Sequence, residues 1–481
     1  MNSILVFLAL VLCAGIAIFV PVFGASAVVL CVVLATIAGF VISRAKEDGQ
    51  FLLRIFVGAL LVRMLVGTLI FAFNLQEFFG GDALTYDFLG SSLLKYWQGE
   101  KFYWIYVQRY LGTGTGGAGG WGMLYLVGGV YAVLGRNMLA VQFVNAVLGA
   151  ATAPLIYLCA KQIFAHQRVA RVAGLLVAFF PSLVLWSAQG LKDGPIVFLL
   201  SFSMFVTLKL GEKLNIKYIL LLACSLFALL SLRFYIFYMV VAAIAGAFVI
   251  GMRGASARSF VRQFVVIVVL GLSLTYLGVT RYASSQFETF TNLERVQLSR
   301  ADLATSAKSG FARDVDVSTT SGAITAIPVG FVYLMLAPFP WQLASLRQSI
   351  TLPEMLVWWA SVPLLALGLW YSVKFRLRQI SPILLFTTML TLAYSIFQGN
   401  VGTAYRQRAQ ILVFYFIFVA VGFAMVKERR EDRQRQRAAE KERTARRPRV
   451  HRPEPYSWKH EPQEKDESEA QDGSKEESSK E

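Results

Sequence analysis

The sequence predicts an all-α, polytopic membrane protein with about twelve membrane-spanning helices and external helices at the membrane boundary. Hydrophobic residues make up 56% of the 481 and charged ones only 16%, where a soluble domain carries about a quarter charged. Mean hydropathy is +0.57 even with a charged C-terminal tail included. Apolar runs near 20 residues, enough to cross a hydrocarbon core of about 30 Å as helix, recur along most of the chain.

In chain order the runs fall near 3–20, 26–43, 52–73, 138–160, 172–189, 195–211, 217–232, 234–251, 262–280, 353–373, 381–398 and 409–426. Met1 to Phe23 lacks the basic start of a signal peptide and is followed at once by Ala27 to Ile42, so a membrane hairpin over 1–50 is expected. Trp121 to Gly135 is short and follows the Gly-rich Gly112 to Gly120. Ile324 to Phe339 is short and broken by Pro328 and Pro338. If these two runs dip in without crossing, Arg44/Lys46, Lys161/Arg168/Arg171, Lys209/Lys213/Lys217, Arg253/Arg258/Arg262 and Lys374/Arg376/Arg378 all share the cytoplasmic side. Both termini lie there too, as basic loops prefer.

The net charge of +17 therefore belongs to short loops and the tail 427–481. It reads as topology and contact with anionic lipid rather than nucleic acid. Residues 427–446 can form a charged helix; 462–481, acidic and Ser-rich, are expected to be disordered. Cys13, Cys31, Cys159 and Cys224 lie in apolar runs without ligand spacing and read as packing residues. Three histidines, none in an apolar run, argue against a Ser-His-Asp triad or His-ligated metal. The Gly-rich stretch lacks the Lys-Ser/Thr of a phosphate loop.

The same topology gathers the remaining polar residues on the external face. They are the Gly81-Asp82 loop, Lys192-Asp193, Arg233, the segment 281–352, and Gly399-Asn400 to Arg408. Asp82 follows two glycines just beyond a span, with Tyr86 four residues on. A partly desolvated carboxylate there suits a general base, or equally a helix cap. Lys192-Asp193 before Pro195 reads either as a helix start or as a charged pair. Arg233, Arg406 and Arg408 are interface anchors or, because guanidinium forks match phosphate oxygens, phosphate binders. Arg63 lies inside a span and needs a partner that the sequence does not name.

These residues, in this order, resemble the GT-C superfamily of polyprenyl-phosphate-dependent glycosyltransferases, especially protein mannosyltransferases and lipid A aminoarabinose transferases. The likeness runs from about Phe51 to Met239. Asp82 takes the place of the acid in the first external loop, although Ala83 replaces a second acid. Val130-Tyr-Ala-Val-Leu-Gly135, Ala140 to Ala150, Tyr157 to Phe164, Phe180-Pro181-Ser182 and Lys192-Asp193 follow in the family's order. The resemblance implies a catalytic membrane module over 51–260, a second membrane module over 261–426 with its external loop 281–352, and the tail. It implies an inverting transfer of sugar from a polyprenyl-phosphate carrier to a hydroxyl, in cell-surface glycan synthesis at the inner membrane. Asp82 and Asp193 would be catalytic, with Asp193 orienting the acceptor or the cations. Tyr86, Asp87, Lys192, Arg233, Tyr405, Arg406 and Arg408 would bind substrate. Expected partners are a lipid-linked sugar donor, a glycan, lipid or protein acceptor and membrane lipids, with no nucleic acid. No cofactor or metal is expected, although Asp82 with Asp193 could hold a divalent cation. Two other readings share these features: a surface-polysaccharide polymerase or ligase, and a transporter of lipid-linked sugars. The absence of mid-membrane charge pairs and repeated halves counts against the transporter.

Overall fold

The structure, a computed structural model, describes residues 3–45, 48–112, 120–252, 271, 292–305, 309–343 and 345–446. It is 87% helical, and among the described residues there is no strand. Without water in the hydrocarbon, a helix is the element that satisfies its own backbone. The apolar run at 262–280 apart from residue 271, the Arg253/Arg258/Arg262 loop, residues 113–119, the start of the segment 281–352 and the acidic end of the tail lie outside the described residues.

Six described helices are long and apolar enough to cross a membrane: Gly24–Ser43, Gly49–Ala72, Met138–Phe164, Asp193–Glu212, Leu346–Phe397 and Val401–Glu442. A seventh arises if Gln167–Phe179 and Pro181–Ser187, bent by 53°, form one broken span. Ser3–Phe19, Gly122–Leu134, Ile216–Leu232, Phe234–Ile250 and Thr320–Leu336 are apolar but shorter. Leu346–Phe397 has 52 residues and leaves helical geometry at Arg376 (φ −134°, ψ 18°). It is therefore two helices meeting at the basic Lys374/Arg376/Arg378 step. Gly122–Leu134 spans only about 20 Å, short of a hydrocarbon core.

The chain divides into two compact units, Met1–Lys427 and Glu428–Glu481. In the first, Met138–Phe164 packs against Gly24–Ser43, Gly49–Ala72, Gln167–Phe179 and Asp193–Glu212. Residues 408–422 are buried without a break, as befits a helix apolar on all sides. The Ser3–Phe19 and Gly24–Ser43 helices instead leave most apolar side chains exposed, a surface suited to lipid. The second unit is described to Arg446 and is helical and charged.

Arg63 finds its partners at the broken span. Pro181 has no N–H to give the Val177 carbonyl four residues back, and the chain leaves the helix at Phe180 (φ −66°, ψ 124°). Arg63 supplies the missing donors. Nη1 donates to Ala178 O at 2.7 Å and Ala59 O at 3.0 Å, Nη2 to Val177 O at 3.4 Å, and Nε to Ser187 Oγ at 2.8 Å. Gly149 makes room for this, since a Cβ there would stand 2.4 Å from Ser187 Cβ and 3.0 Å from Arg63 Nε. Arg63→Met should leave buried carbonyls unpaired at about 1–3 kcal/mol each. The expected result is a clear fall in thermal midpoint in detergent, smaller for Arg63→Lys; an unchanged midpoint would contradict this role.

Candidate active site

The charged residues of the loops expected to be external meet where several helices begin or end. Asp82 opens the helix Asp82–Trp97 and Asp193 opens Asp193–Glu212, with Gly81 and Lys192 as their caps. Both carboxylates thus stand at the positive end of a helix dipole. Arg233 is the extended residue (φ −151°, ψ 100°) between Ile216–Leu232 and Phe234–Met252. Arg406 lies in the second turn of Val401–Arg446.

Arg406 joins the two acids. Its Nη1 donates to Asp82 Oδ2 at 2.7 Å, while Nε and Nη2 lie 2.8 and 2.6 Å from Asp193 Oδ2. Arg233 Nη2 stands 3.6 Å from Asp193 Oδ1. The Asp193 side chain is 2% exposed and that of Arg406 12%, but Asp82 is 54% exposed. One carboxylate is therefore locked between two guanidiniums, and the other faces open space. Asp82 does not cap its own helix; its carboxylate is spent on Arg406.

Lys192 belongs to the same charge cluster. Its pKa is lowered to about 7, chiefly by burial and then by Arg233, with Asp193 pulling it back up and Arg406 and Asp82 acting more weakly in the two directions. Two carboxylates face two guanidiniums here, and Lys192 adds a third cation to the cluster. Burial and the nearby Asp82 raise the phenol pKa of Tyr86, with Tyr110 as a further neighbour.

Supports come from groups that the sequence did not single out. Asn145 Nδ2 donates to both Gln189 O and Leu191 O at 2.6 Å and fixes the loop carrying Lys192. Trp186 lies under Arg406, 5.6 Å from ring centre to guanidinium carbon. Arg233 Nη1 donates to the Tyr235 phenol at 3.1 Å, which stands 3.3 Å from the Tyr394 phenol; Tyr394 in turn donates to Gln410 Oε1 at 2.8 Å. Gly120, with φ +81°, lets the end of the Gly-rich stretch approach Leu232 O, where a Cβ would come within 2.3 Å. That contact lies one residue from Arg233.

Two expected substrate-binding residues are placed elsewhere, and a third is partly diverted. Arg408 is buried and turned away, because residues two apart on a helix do not share a face. Its Nη1 donates to Met335 O at 3.0 Å and Ala337 O at 3.2 Å. With Trp358 and Trp359, which donate to Met335 O and Leu336 O, it closes the end of Thr320–Leu336. Pro338 and Pro340, just beyond, can give that helix end no N–H. Asp87 pairs with Arg136 and accepts from Tyr131, tying Asp82–Trp97 to Gly122–Leu134. Tyr405 lies beside Arg406, yet its phenol donates to the buried Glu354 at 2.8 Å.

Asp82, Asp193, Lys192, Arg233 and Arg406 are thus brought together from four regions of the chain, with Tyr86 alongside. Residues 120–277 match the family model described as dolichyl-phosphate-mannose-protein mannosyltransferase. The match supports a membrane glycosyltransferase of the GT-C type. Lys192, Asp193 and Arg233 lie inside the matched stretch; Asp82 and Arg406 lie outside it and join through the ion pairs above. That family implies a lipid-linked sugar donor and a membrane setting. No curated protein matches the chain.

Proposed function

We propose that the protein transfers a sugar from a polyprenyl-phosphate carrier to an acceptor hydroxyl, with inversion, on the extracytoplasmic face of the inner membrane. Both termini are then cytoplasmic, and the product belongs to a cell-surface glycan. The observation that supports this most is Arg406 held between Asp82 and Asp193, with Arg233 against Asp193. Asp82 takes the acceptor proton as the acceptor oxygen forms its bond to the anomeric carbon. The bond from that carbon to the carrier phosphate breaks, and the electron pair leaves on the phosphate oxygen. A phosphate needs no proton to leave when cations meet its charge; Arg406, Arg233 and Lys192 are those cations, and no metal or other cofactor is required. Asp193 orients Arg406 and Arg233 rather than touching the sugar.

Lys192 makes donor binding depend on pH. Below pH 7 the amine is charged and available to phosphate; as pH rises through its lowered pKa of about 7, that charge is lost. Phosphate favours the charged form, so the donor KM should climb above pH 7, and Lys192→Arg should flatten the climb. Stability runs the other way. Between pH 7 and an unfolded value of about 10.4 the unfolded chain binds more protons, so the folded state gains as pH rises. A donor KM with the same pH profile in wild type and Lys192→Arg would contradict this role.

The reading is tested with purified protein in liposomes given a labelled polyprenyl-phosphate sugar or the corresponding nucleotide sugar. Consumption of the lipid donor alone is expected; use of the nucleotide sugar alone would overturn it. For the sidedness, Glu100→Cys should react with an impermeant thiol reagent in intact cells and Lys213→Cys should not, in a background lacking Cys224. The reverse pattern would place the site in the cytoplasm.

A further inference from the structure

A cavity of about 500 Å³ opens beside the cluster, within the size range of small-molecule sites. Arg406 is the one member of the cluster in its wall. Arg347 stands in another part of the wall, its guanidinium carbon 5.4 Å from the Phe78 ring centre and its Nη2 3.5 Å from Glu77 O. Among the described residues of the lining there is no carboxylate.

The other polar contributions have the same sign. Trp186 is 6% exposed and lines the cavity, and its indole N–H has no hydrogen-bond partner among the described residues. An indole N–H can only donate, so what enters must accept. The first turns of Leu346–Phe397 and Val401–Arg446 also face the cavity, through residues such as Gln348 and Thr403. The positive ends of their dipoles favour negative charge. Phe78, Phe79, Leu185 and Ile350 supply an apolar wall. The combination fits an amphiphile with an anionic headgroup.

Resting on the reading above, we infer that this cavity is the acceptor site and that the acceptor is an amphiphile carrying its own anionic group, held by Arg347. The argument is one of position. The donor phosphate is assigned to the inner side of Arg406, where Lys192 and Arg233 stand and the cavity does not reach. Asp82, half-exposed and bonded to Arg406 Nη1, is held by the one cluster residue in the cavity wall and lies two residues from Gly80, which also lines it. An acceptor entering there brings its hydroxyl to the base, while its own anion, which the donor cations cannot serve, meets Arg347. A neutral acceptor would leave Arg347 and the Trp186 N–H unmatched.

The test uses the full chain in phosphatidylcholine nanodiscs, first saturated with polyprenyl monophosphate and then titrated with dodecyl phosphate by calorimetry. Wild type should bind one further dodecyl phosphate per chain, Arg347→Ala at least tenfold more weakly, and Arg347→Glu not measurably. Inorganic phosphate should bind at least tenfold more weakly than dodecyl phosphate. No second equivalent bound, unchanged affinity in both Arg347 variants, or inorganic phosphate binding as tightly would each overturn the inference. Arg347 is exposed, so its variants should fold. If polyprenyl monophosphate itself fails to bind, the reading of the inner cluster falls; dodecyl phosphate binding that depends on Arg347 would still report on the cavity.

Discussion

Asp82→Asn is expected to lower glycosyl transfer by about 10²–10⁴-fold, the usual contribution of a positioned general base. The amide keeps the shape of the side chain and can still accept from Arg406 Nη1, which now lies 2.7 Å from the carboxylate. The side chain is more than half exposed, so no buried group is orphaned. Expression, membrane insertion and thermal midpoint should therefore match wild type, with the loss in kcat rather than in donor KM. Wild-type transfer by Asp82→Asn would remove it from the mechanism. A loss accompanied by unfolding would make Asp82 structural.

Arg406→Gln should lose transfer for a different reason. The phosphate forfeits its central fork, a loss comparable to removing an oxyanion donor, about 10²–10³-fold. It also takes from Asp193, almost fully buried, its closest ion-pair partner, with Arg233 standing farther off at 3.6 Å. Breaking a buried pair from one side costs about 3–5 kcal/mol, so the single variant should be less stable as well. The double variant Arg406→Gln/Asp193→Asn removes the stranded charge and should recover much of the stability while recovering no transfer. That split between midpoint and turnover, read by a double-mutant cycle, separates binding from folding. Recovery of turnover in the double variant would mean that Arg406 serves the fold and not the phosphate.

The residues of the cluster were legible because membrane topology is strict. The preference of basic loops for one side groups Asp82, Lys192, Asp193, Arg233 and Arg406 together in the sequence, and in the structure helix ends bring them within reach of one another. The pairing itself was not legible, since Asp82 and Arg406 are 324 residues apart. Arg408 was separable in principle: two residues from Arg406 is more than half a helical turn, so the two could not share a site on a continuous helix. The helix begins at Val401, so both arginines lie on it and point to different faces. Arg63 and Arg408 show a signal that charge counting misses. Each answers carbonyls at a helix end that proline leaves short of N–H donors, so an intramembrane arginine in a chain with Phe-Pro or Ala-Pro breaks is as much a capping residue as an ion-pair partner. Asp87 was lost to Arg136, 49 residues on, because nothing local distinguishes it from Asp82.

The most direct measurement is the position of the carrier phosphate in a cryo-electron microscopy map of the protein with polyprenyl monophosphate in nanodiscs. The account predicts phosphate density within hydrogen-bonding reach of Arg406 and Lys192, with Asp82 released from Arg406 and turned to solvent. Phosphate density at another place, with the Asp82–Arg406–Asp193 bridge intact, would contradict it.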